Sequence, residues 1–202
     1  MLIRSFGHVH ISLDEGIDYT KEYDEIAYPR NSYDECVDYI SNELVKAAML
    51  LEEARGPQDI VRPTRGAALS LRSRVLLYAA SPLFNGKAPA EVIAALVDKS
   101  GKKLLSDTYD ERKWAIAAAA AKDVIELGKY QLYVAYKSEG GSSLSDPATI
   151  TPPDDEGTFH SNPWPKGWQN IDPFKSYRAL FDGEVSAYGN SEIIFTRGTN
   201  QG

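Results

Sequence analysis

Apolar residues recur at spacings of three and four in three stretches of the chain, and this spacing places them on one face of an α-helix. The first stretch begins after Pro29, where the Ser32 hydroxyl can accept from a free backbone N–H group and Glu35 can complete a capping box. The pattern predicts a helix that buries one face and ends at Gly56-Pro57. Its apolar positions are Tyr33, Val37, Ile40, Leu44, Ala47, Ala48 and Leu51.

The second stretch follows Pro63, with Thr64 as the predicted N-cap, and it ends at Ser81-Pro82 and Asn85-Gly86. Small residues are frequent in it and let a neighbouring helix approach closely, which favours helix pairing. The apolar positions are Ala68, Leu71, Val75, Ala79 and Leu83, and the predicted polar face carries Arg65, Arg72 and Arg74.

The third stretch follows Thr108 and Glu111, a second predicted capping box, and Gly128 suits the left-handed position that ends a helix. Its predicted buried face consists of Trp114, Ala118, Ala121 and Ile125. A short apolar helix is also predicted between residues 90 and 99. Helix pairs with small residues at their interfaces are typical of tetratricopeptide-like arrays. The predicted fold class is therefore mainly α, with tetratricopeptide-like helical pairs, long irregular loops and a few short strands.

Outside these helices the periodicity is lost. Residues 1–30 are predicted to be extended segments and loop, and their part from 14 to 28 is acidic and rich in tyrosine. We divide the chain into a helical scaffold at 1–137, a long loop region at 138–190 and an extended segment at 191–202. The last segment has the β-branched and aromatic residues of a strand or a buried extended segment, and it stops as a truncated chain does.

Composition excludes several classes of function. With 43% hydrophobic and 25% charged residues the chain is expected to fold as a globular protein. Its net charge of -7 argues against binding to nucleic acid phosphates, which requires clustered Lys and Arg. The one cysteine, Cys36, permits no intrachain disulfide and is predicted to be a small packed residue. No apolar run is long enough to cross a membrane, and the first residues lack the pattern of a signal peptide.

No arrangement of residues indicates catalysis or a metal. His8 and His10 share one side of an extended segment, but no third ligand stands at a recognisable spacing. The acidic run at 154–156 lies on a Pro-Gly loop and is interpreted as solvated surface, whereas a glycosidase needs a separated acid and base. We therefore predict a protein that is not an enzyme and has no cofactor.

The loop region contains residues suited to sugar binding. Sugars bind to flat aromatic faces beside fixed polar groups, and residues 159–168 provide both within a stretch stiffened by prolines. The candidate carbohydrate-binding residues are Trp164, Trp168, His160 and Asn162. The alternative is that the two indoles anchor the loop onto the helices, since tryptophan is usually largely buried.

Three blocks of the chain are similar to the SusD-like (SusD/RagB) family of outer-membrane glycan-binding lipoproteins. They are PRNSYDECVDYISNEL at 29–44, RPTRGAALSLRSRVLLYAASPLFNG at 62–86 and WAIAAAAAKDVIELGKYQLY at 114–133, in the family's order. The run Ala-Ser-Pro-Leu-Phe-Asn-Gly that ends the second block is the most specific feature. Arg4-Ser5-Phe6-Gly7 and Glu192-Ile193-Ile194-Phe195 extend the resemblance.

This resemblance implies a right-handed scaffold of tetratricopeptide-like helix pairs on which variable loops form a shallow glycan site. It also implies a lipid anchor near the mature N-terminus, a place on the extracellular face of the outer membrane, and a TonB-dependent (SusC-like) transporter as partner. By the same resemblance, residues 1–202 are an internal part of one SusD-like domain. Cys36 lies within a predicted helix and does not match the lipidated cysteine.

We therefore predict non-catalytic binding of an oligo- or polysaccharide and its delivery to the transporter. The alternative is a tetratricopeptide-like module that binds proteins and has no affinity for sugar. Because a repeat array that is cut at both ends exposes apolar faces, we also predict marginal stability for the chain alone.

Overall fold

A computed structural model describes Ile3 and residues 8–12, 16–136 and 172–196. The described residues form two compact units, divided between Gly128 and Lys129. The predicted mainly helical fold is confirmed. In these ranges the β structure is limited to an isolated bridge between Val97 and Lys103 and a bridge position at Tyr136. The helices are α1 (Tyr23–Ile26), α2 (Tyr33–Leu50), α3 (Arg65–Ala80), α4 (Ala90–Ala95), α5 (Arg112–Glu126) and α6 (Pro173–Arg178). Short 3-10 turns occupy Pro57–Asp59 and Pro82–Phe84.

The start of α2 confirms the predicted capping box. The backbone N–H of Glu35 donates to the Ser32 hydroxyl at 3.3 Å, and the Ser32 N–H donates to the Glu35 carboxylate at 2.7 Å. Tyr33, Val37 and Ala48 are buried on the predicted face. The predicted end was wrong, because the backbone becomes extended at Leu51 and Gly56-Pro57 instead opens the first 3-10 turn.

Helix α3 packs against both α2 and α5. Its predicted cap is confirmed, since the N–H of Ala67 donates to the Thr64 hydroxyl at 3.3 Å. The prediction that α3 buries a single apolar face was wrong, because Leu71 and Leu83, which belong to that face, are exposed. A helix that is covered from two sides buries residues around much of its circumference, so one stripe does not describe it. The buried residues of α3 are Gly66, Ala68, Leu76, Ala79 and Ala80.

Arg72 connects the three long helices of the first unit. From α3 its Nε donates to the Ser41 hydroxyl of α2 at 3.1 Å, and its Nη1 donates to the Asp123 carboxylate of α5 at 3.0 Å. Its side chain is only 20% exposed. Arg72 therefore uses its predicted polar position to bind two neighbouring helices, whereas Arg74 on the same helix is exposed.

We expect Arg72→Met to lower the free energy of unfolding by about 1 to 2 kcal/mol, because the change keeps the apolar stem and removes two hydrogen bonds that join helices. Urea denaturation followed by circular dichroism measures this loss. Arg74→Met on the same helix is the matched control and is expected to change stability by less than about 0.5 kcal/mol. Equal effects of the two substitutions would contradict the connecting role of Arg72.

Two predictions for α5 were wrong. Thr108 and Glu111 do not form a capping box, because Glu111 already has helical backbone angles and the N–H of Arg112 donates to Asp110 at 3.0 Å instead. The buried residues are Ala117 and Ala120, whereas Trp114 is 41% exposed and Ile125 is 77% exposed. Alanines face α3 because only small side chains allow two helices to approach closely. The predicted left-handed residue at the C-terminal end of α5 is confirmed, since Gly128 has a φ of +62°.

The core of the first unit lies where α2, α3 and α5 meet the connecting segments. The rings of Tyr33 and Phe84 stack with their centroids 4.2 Å apart. Burial raises the pKa of the Tyr33 hydroxyl to about 12, so this group remains neutral. Cys36 is buried beside them, which confirms its predicted role as a small packed residue.

Asn85 and Gly86 attach the end of α3 to the segment before α5. The Asn85 side chain is fully buried, its Nδ2 donates to the Asp110 carbonyl at 2.9 Å, and its Oδ1 accepts from the Asp110 N–H at 2.8 Å. Gly86 has a φ of +71°, and a Cβ there would lie 2.2 Å from the carbonyl carbon of Thr108. These two residues end the block that most resembles the SusD-like family. Their contacts explain why asparagine and glycine are needed at the end of that motif.

The second unit contains α6, which lies inside the region predicted as a long loop. Asp172 caps it by accepting from the N–H of Lys175 at 2.9 Å, and the Ser176 hydroxyl accepts from the N–H of Ala135 at 2.9 Å. Residues 191–196 form turns and irregular backbone, so the strand predicted there is absent from the described part of the segment. They are held through the Ser191 hydroxyl, which donates to the Gln131 carbonyl at 2.9 Å.

Candidate functional site

The four predicted sugar-binding residues lie outside the described residues. Trp164, Trp168, His160 and Asn162 all fall within the range 137–171, of which no structure is described. Their role remains a prediction. The acidic run at 154–156 falls in the same range.

The described part of the first unit contains a shallow cleft of about 250 Å³ beside the start of α2. Its surface is mainly apolar, with one histidine and one asparagine as polar side chains and Tyr28 as an amphipathic wall. We call it the His10–Tyr28 cleft. It is lined by His10, Ile11, Gly16, Ile17, Tyr28, Pro29 and Asn31.

Asn31 fixes the two segments that form this cleft. Its backbone N–H donates to the Val9 carbonyl at 3.0 Å, and its side-chain Oδ1 accepts from the Ile11 N–H at 3.0 Å. The capping box of α2 begins at the next residue, Ser32. Segment 8–12 is thereby attached to a rigid helix end, although Asn31 and Ile11 are 20 residues apart in the chain.

The aromatic wall of the cleft consists of two parallel rings. The His10 and Tyr28 rings lie 5.0 Å apart with an interplanar angle of 5°. His10 Nδ1 lies 3.3 Å from the Pro29 carbonyl oxygen, so the tautomer that bonds to this oxygen carries its proton on Nδ1 and leaves Nε2 as an acceptor. Tyr28 is 44% exposed, which leaves part of its surface open to a ligand.

Sequence reasoning missed this cleft. It treated His10 only as half of a metal pair and the tyrosine-rich stretch only as loop. His10 and Tyr28 stand 18 positions apart in the sequence. They are brought together by the Asn31 hydrogen bonds to Val9 and Ile11 and by the contact between His10 and the Pro29 carbonyl. Such non-local pairing has no local sequence pattern.

Glu35, whose carboxylate accepts from the Asn31 side-chain Nδ2 at 3.5 Å, does not offer acid-base chemistry to the cleft. Lys102 donates to both oxygens of Glu35, at 2.7 and 2.8 Å. That ion pair and the Ser32 backbone N–H lower the pKa of Glu35 to about 2. Glu35 is therefore a structural anion at neutral pH, and both of its oxygens are already bonded.

The two N-terminal histidines have different environments. His8 is buried, and its Nε2 has no hydrogen-bond partner among the described residues. Burial, and then the charge of Arg30, lower the pKa of His8 and favour the neutral ring. Within the ranges that the structure covers, no group of three His, Cys, Asp or Glu side chains is arranged to hold a metal ion. In the same ranges, no helix is long and apolar enough to cross a membrane.

Comparison with known proteins yields no matching family model and no matching curated protein. Among solved structures, the chain is similar to BT4246, with 30% identity and a TM-score of 0.58 over 71% of this chain and 26% of that chain. It is also similar to selenomethionine BT4246, with 34% identity and a TM-score of 0.52 over 65% of this chain and 22% of that one.

A further match is a SusD-like protein (BF3747) from Bacteroides fragilis NCTC 9343, with 26% identity and a TM-score of 0.43 over 65% of this chain and 19% of that chain. At that TM-score the match adds no structural argument. The chain thus spans about a quarter of the length of the first structure that it matches, BT4246.

Proposed function

We propose that this chain, which is SusD-like in its sequence blocks and its helical fold, binds glycans without cleaving them. The observation that carries the proposal is the agreement between those blocks and the packed helices. The first block contains most of α2, the second contains all of α3, and the third covers most of α5. The similarity to BT4246 over 71% of the chain supports the same assignment of fold.

In this proposal the helices form a rigid frame and the segment from 159 to 168 contacts the sugar. The indoles of Trp164 and Trp168 stack on the apolar faces of pyranose rings, while His160 and Asn162 exchange hydrogen bonds with hydroxyl groups. Binding by stacking and neutral hydrogen bonds requires no cofactor. In this proposal the glycosidic bond stays intact, because none of the four candidate side chains carries a carboxyl group that could act as acid or base.

The proposal includes the cellular role that the family resemblance implies. The protein is attached to the outer face of the outer membrane by a lipid anchor and passes its glycan to a TonB-dependent, SusC-like transporter. No nucleic acid takes part. What supports this role is the family resemblance, whereas the negative net charge argues only against binding to phosphate backbones.

Trp164→Ala and Trp168→Ala are each expected to weaken glycan retention at least about tenfold, because a stacked aromatic ring is a typical centre of binding energy. Affinity electrophoresis in gels that contain soluble polysaccharides measures retention. Trp114→Ala is the matched control, because it removes an exposed indole on α5 that lies outside the proposed site. It should leave glycan retention unchanged. If both loop variants migrate as the wild type does in every gel that retards it, the site lies elsewhere.

The exposed apolar residues of α5 favour a second candidate function, a module that binds proteins and not sugar. Trp114, Ala118 and Ile125 share one face of this helix and are exposed. A continuous exposed apolar surface is typical of an interaction site. The Trp114→Ala control separates the two functions. Under the second candidate it weakens binding to a transporter or peptide partner, and no glycan retards the wild-type chain.

A further inference from the structure

We propose that the His10–Tyr28 cleft is a second carbohydrate subsite, which takes one neutral pyranose residue. This inference rests on the proposed function, since it places a further contact of the same class of ligand on the helical unit. It is independent of the tryptophans in the range 159–168.

The size and lining of the cleft favour a ligand of one ring. A volume of about 250 Å³ lies below the range of about 300 to 1,000 Å³ that is common for drug-sized ligands. Ile11, Ile17 and Pro29 supply apolar contact surface. The C–H face of a pyranose is the part of a sugar that gains from such a surface.

The aromatic wall is fixed before a ligand arrives. His10 stacks on one face of Tyr28, and the Pro29 carbonyl holds the imidazole through Nδ1. A ring that is already held in place loses little conformational entropy on binding, so more of the stacking energy appears as affinity. The part of Tyr28 that remains exposed is the surface against which a sugar ring packs.

The polar groups of the cleft select a neutral ligand. Among the described residues that line it, none is Asp, Glu, Lys or Arg, so a phosphate or carboxylate group would lose hydration without gaining a counter-ion. His10 Nε2 is an acceptor for a hydroxyl group, and the Tyr28 hydroxyl can both donate and accept. One acceptor and one hydroxyl group beside an apolar face are compatible with the hydroxyl groups of a neutral hexose.

Titration of the full chain with neutral monosaccharides, followed by NMR of the histidine side-chain nitrogens, tests this assignment. Glucuronate serves as the charged comparison. We expect at least one neutral sugar to shift the His10 Nε2 signal, and glucuronate to shift it much less at equal concentration. Tyr28→Ala is expected to weaken this response at least about tenfold.

Matched variants distinguish a sugar contact from a change in folding. Tyr19→Ala removes a tyrosine that is 79% exposed and does not line the cleft, so it should leave the response unchanged. His10→Phe keeps an aromatic partner for Tyr28 and removes the acceptor, so it should weaken binding of the sugar as detected at the Tyr28 ring. The double variant Trp164→Ala, Trp168→Ala should retain the His10 response.

The possible outcomes separate the two proposals. If glycans are retained through Trp164 and Trp168 but no sugar shifts the His10 or Tyr28 signals, the cleft is not a subsite and the proposed function stands. If a neutral sugar shifts His10 while no polysaccharide is retained through the tryptophans, the subsite is supported and the loop site is overturned. If neither response occurs, both proposals are wrong.

Discussion

Replacing Gly86 with alanine is expected to lower the free energy of unfolding of the first unit by about 2 to 5 kcal/mol. Gly86 has a φ of +71°, which costs an L-residue about 1 to 2 kcal/mol. The added Cβ would also lie 2.2 Å from the carbonyl carbon of Thr108 and 2.3 Å from the backbone nitrogen of Tyr109. Backbone atoms cannot turn away as a flexible side chain does, so the segment before α5 must move. Urea denaturation followed by circular dichroism measures the loss.

Gly101→Ala is the matched control for this substitution. Gly101 has a similar φ of +84°, but a Cβ there has nothing within 4 Å. It therefore carries only the conformational cost, about 1 to 2 kcal/mol. The difference between the two variants isolates the close approach between Gly86 and residues 108–109. Equal losses would show that this contact does not constrain the fold.

Replacing Asn85 with leucine is expected to cost about 2 to 4 kcal/mol, which is the second large effect. The change leaves the partly buried N–H and carbonyl of Asp110 without their partner, and an unsatisfied buried group costs about 1 to 3 kcal/mol. Leucine has the same number and branching of side-chain heavy atoms, but its two methyl groups are larger than the amide groups they replace, so crowding adds to the loss of the hydrogen bonds. Thermal and urea denaturation measure it.

Two further substitutions sharpen this result. Asn42→Leu, at an exposed position on α2, should change stability by less than about 0.5 kcal/mol. Asn85→Asp keeps an acceptor for the Asp110 N–H but turns the donor into a carboxyl oxygen that faces the Asp110 carbonyl. Burial raises the pKa of the introduced carboxyl, so this variant should lose more stability at pH 7 than at pH 4 relative to the wild type. No destabilisation in any Asn85 variant would contradict the attachment of α3 to the segment before α5.

Local signals in the sequence predicted much of this scaffold. Ser32 with Glu35, Thr64 and Gly128 each act within one turn of a helix end, so local residue types located those ends, although the same pattern at Thr108 and Glu111 did not form a cap. The structure bears out all three. The buried face of α2 was also predictable, because α2 packs against α3 along one side.

Contacts between elements that are distant in the chain were not predictable in the same way. The pattern on α5 favoured Trp114 and Ile125 as buried residues because they are large and apolar, yet close approach to α3 selects Ala117 and Ala120. The sequence indicates Asn85-Gly86 as a helix end within a family-like run, but it does not indicate the contact with Asp110, which stands 25 positions later. The His10–Tyr28 cleft was missed for the same physical reason.

The candidate sugar-binding residues were predicted from residue type and loop composition, and their role rests on the proposed function. Stacking surfaces for sugars have no fixed spacing, because the loop that presents them determines their geometry. The same limit explains why the identity of the glycan does not follow from this one sequence. Packing restricts which residue types can form the helical frame, so the sequence indicates that frame. The residues of the ligand surface are chosen to fit a particular glycan, which the sequence does not identify.

Isothermal titration calorimetry of the full 202-residue chain against a panel of soluble polysaccharides tests the central claim most directly. A reducing-sugar assay after each titration reports any cleavage. We predict saturable heat with at least one glycan and no new reducing ends. A chain that is helical by circular dichroism and releases no heat with any glycan, or one that releases reducing ends from the glycan it binds, would contradict the account.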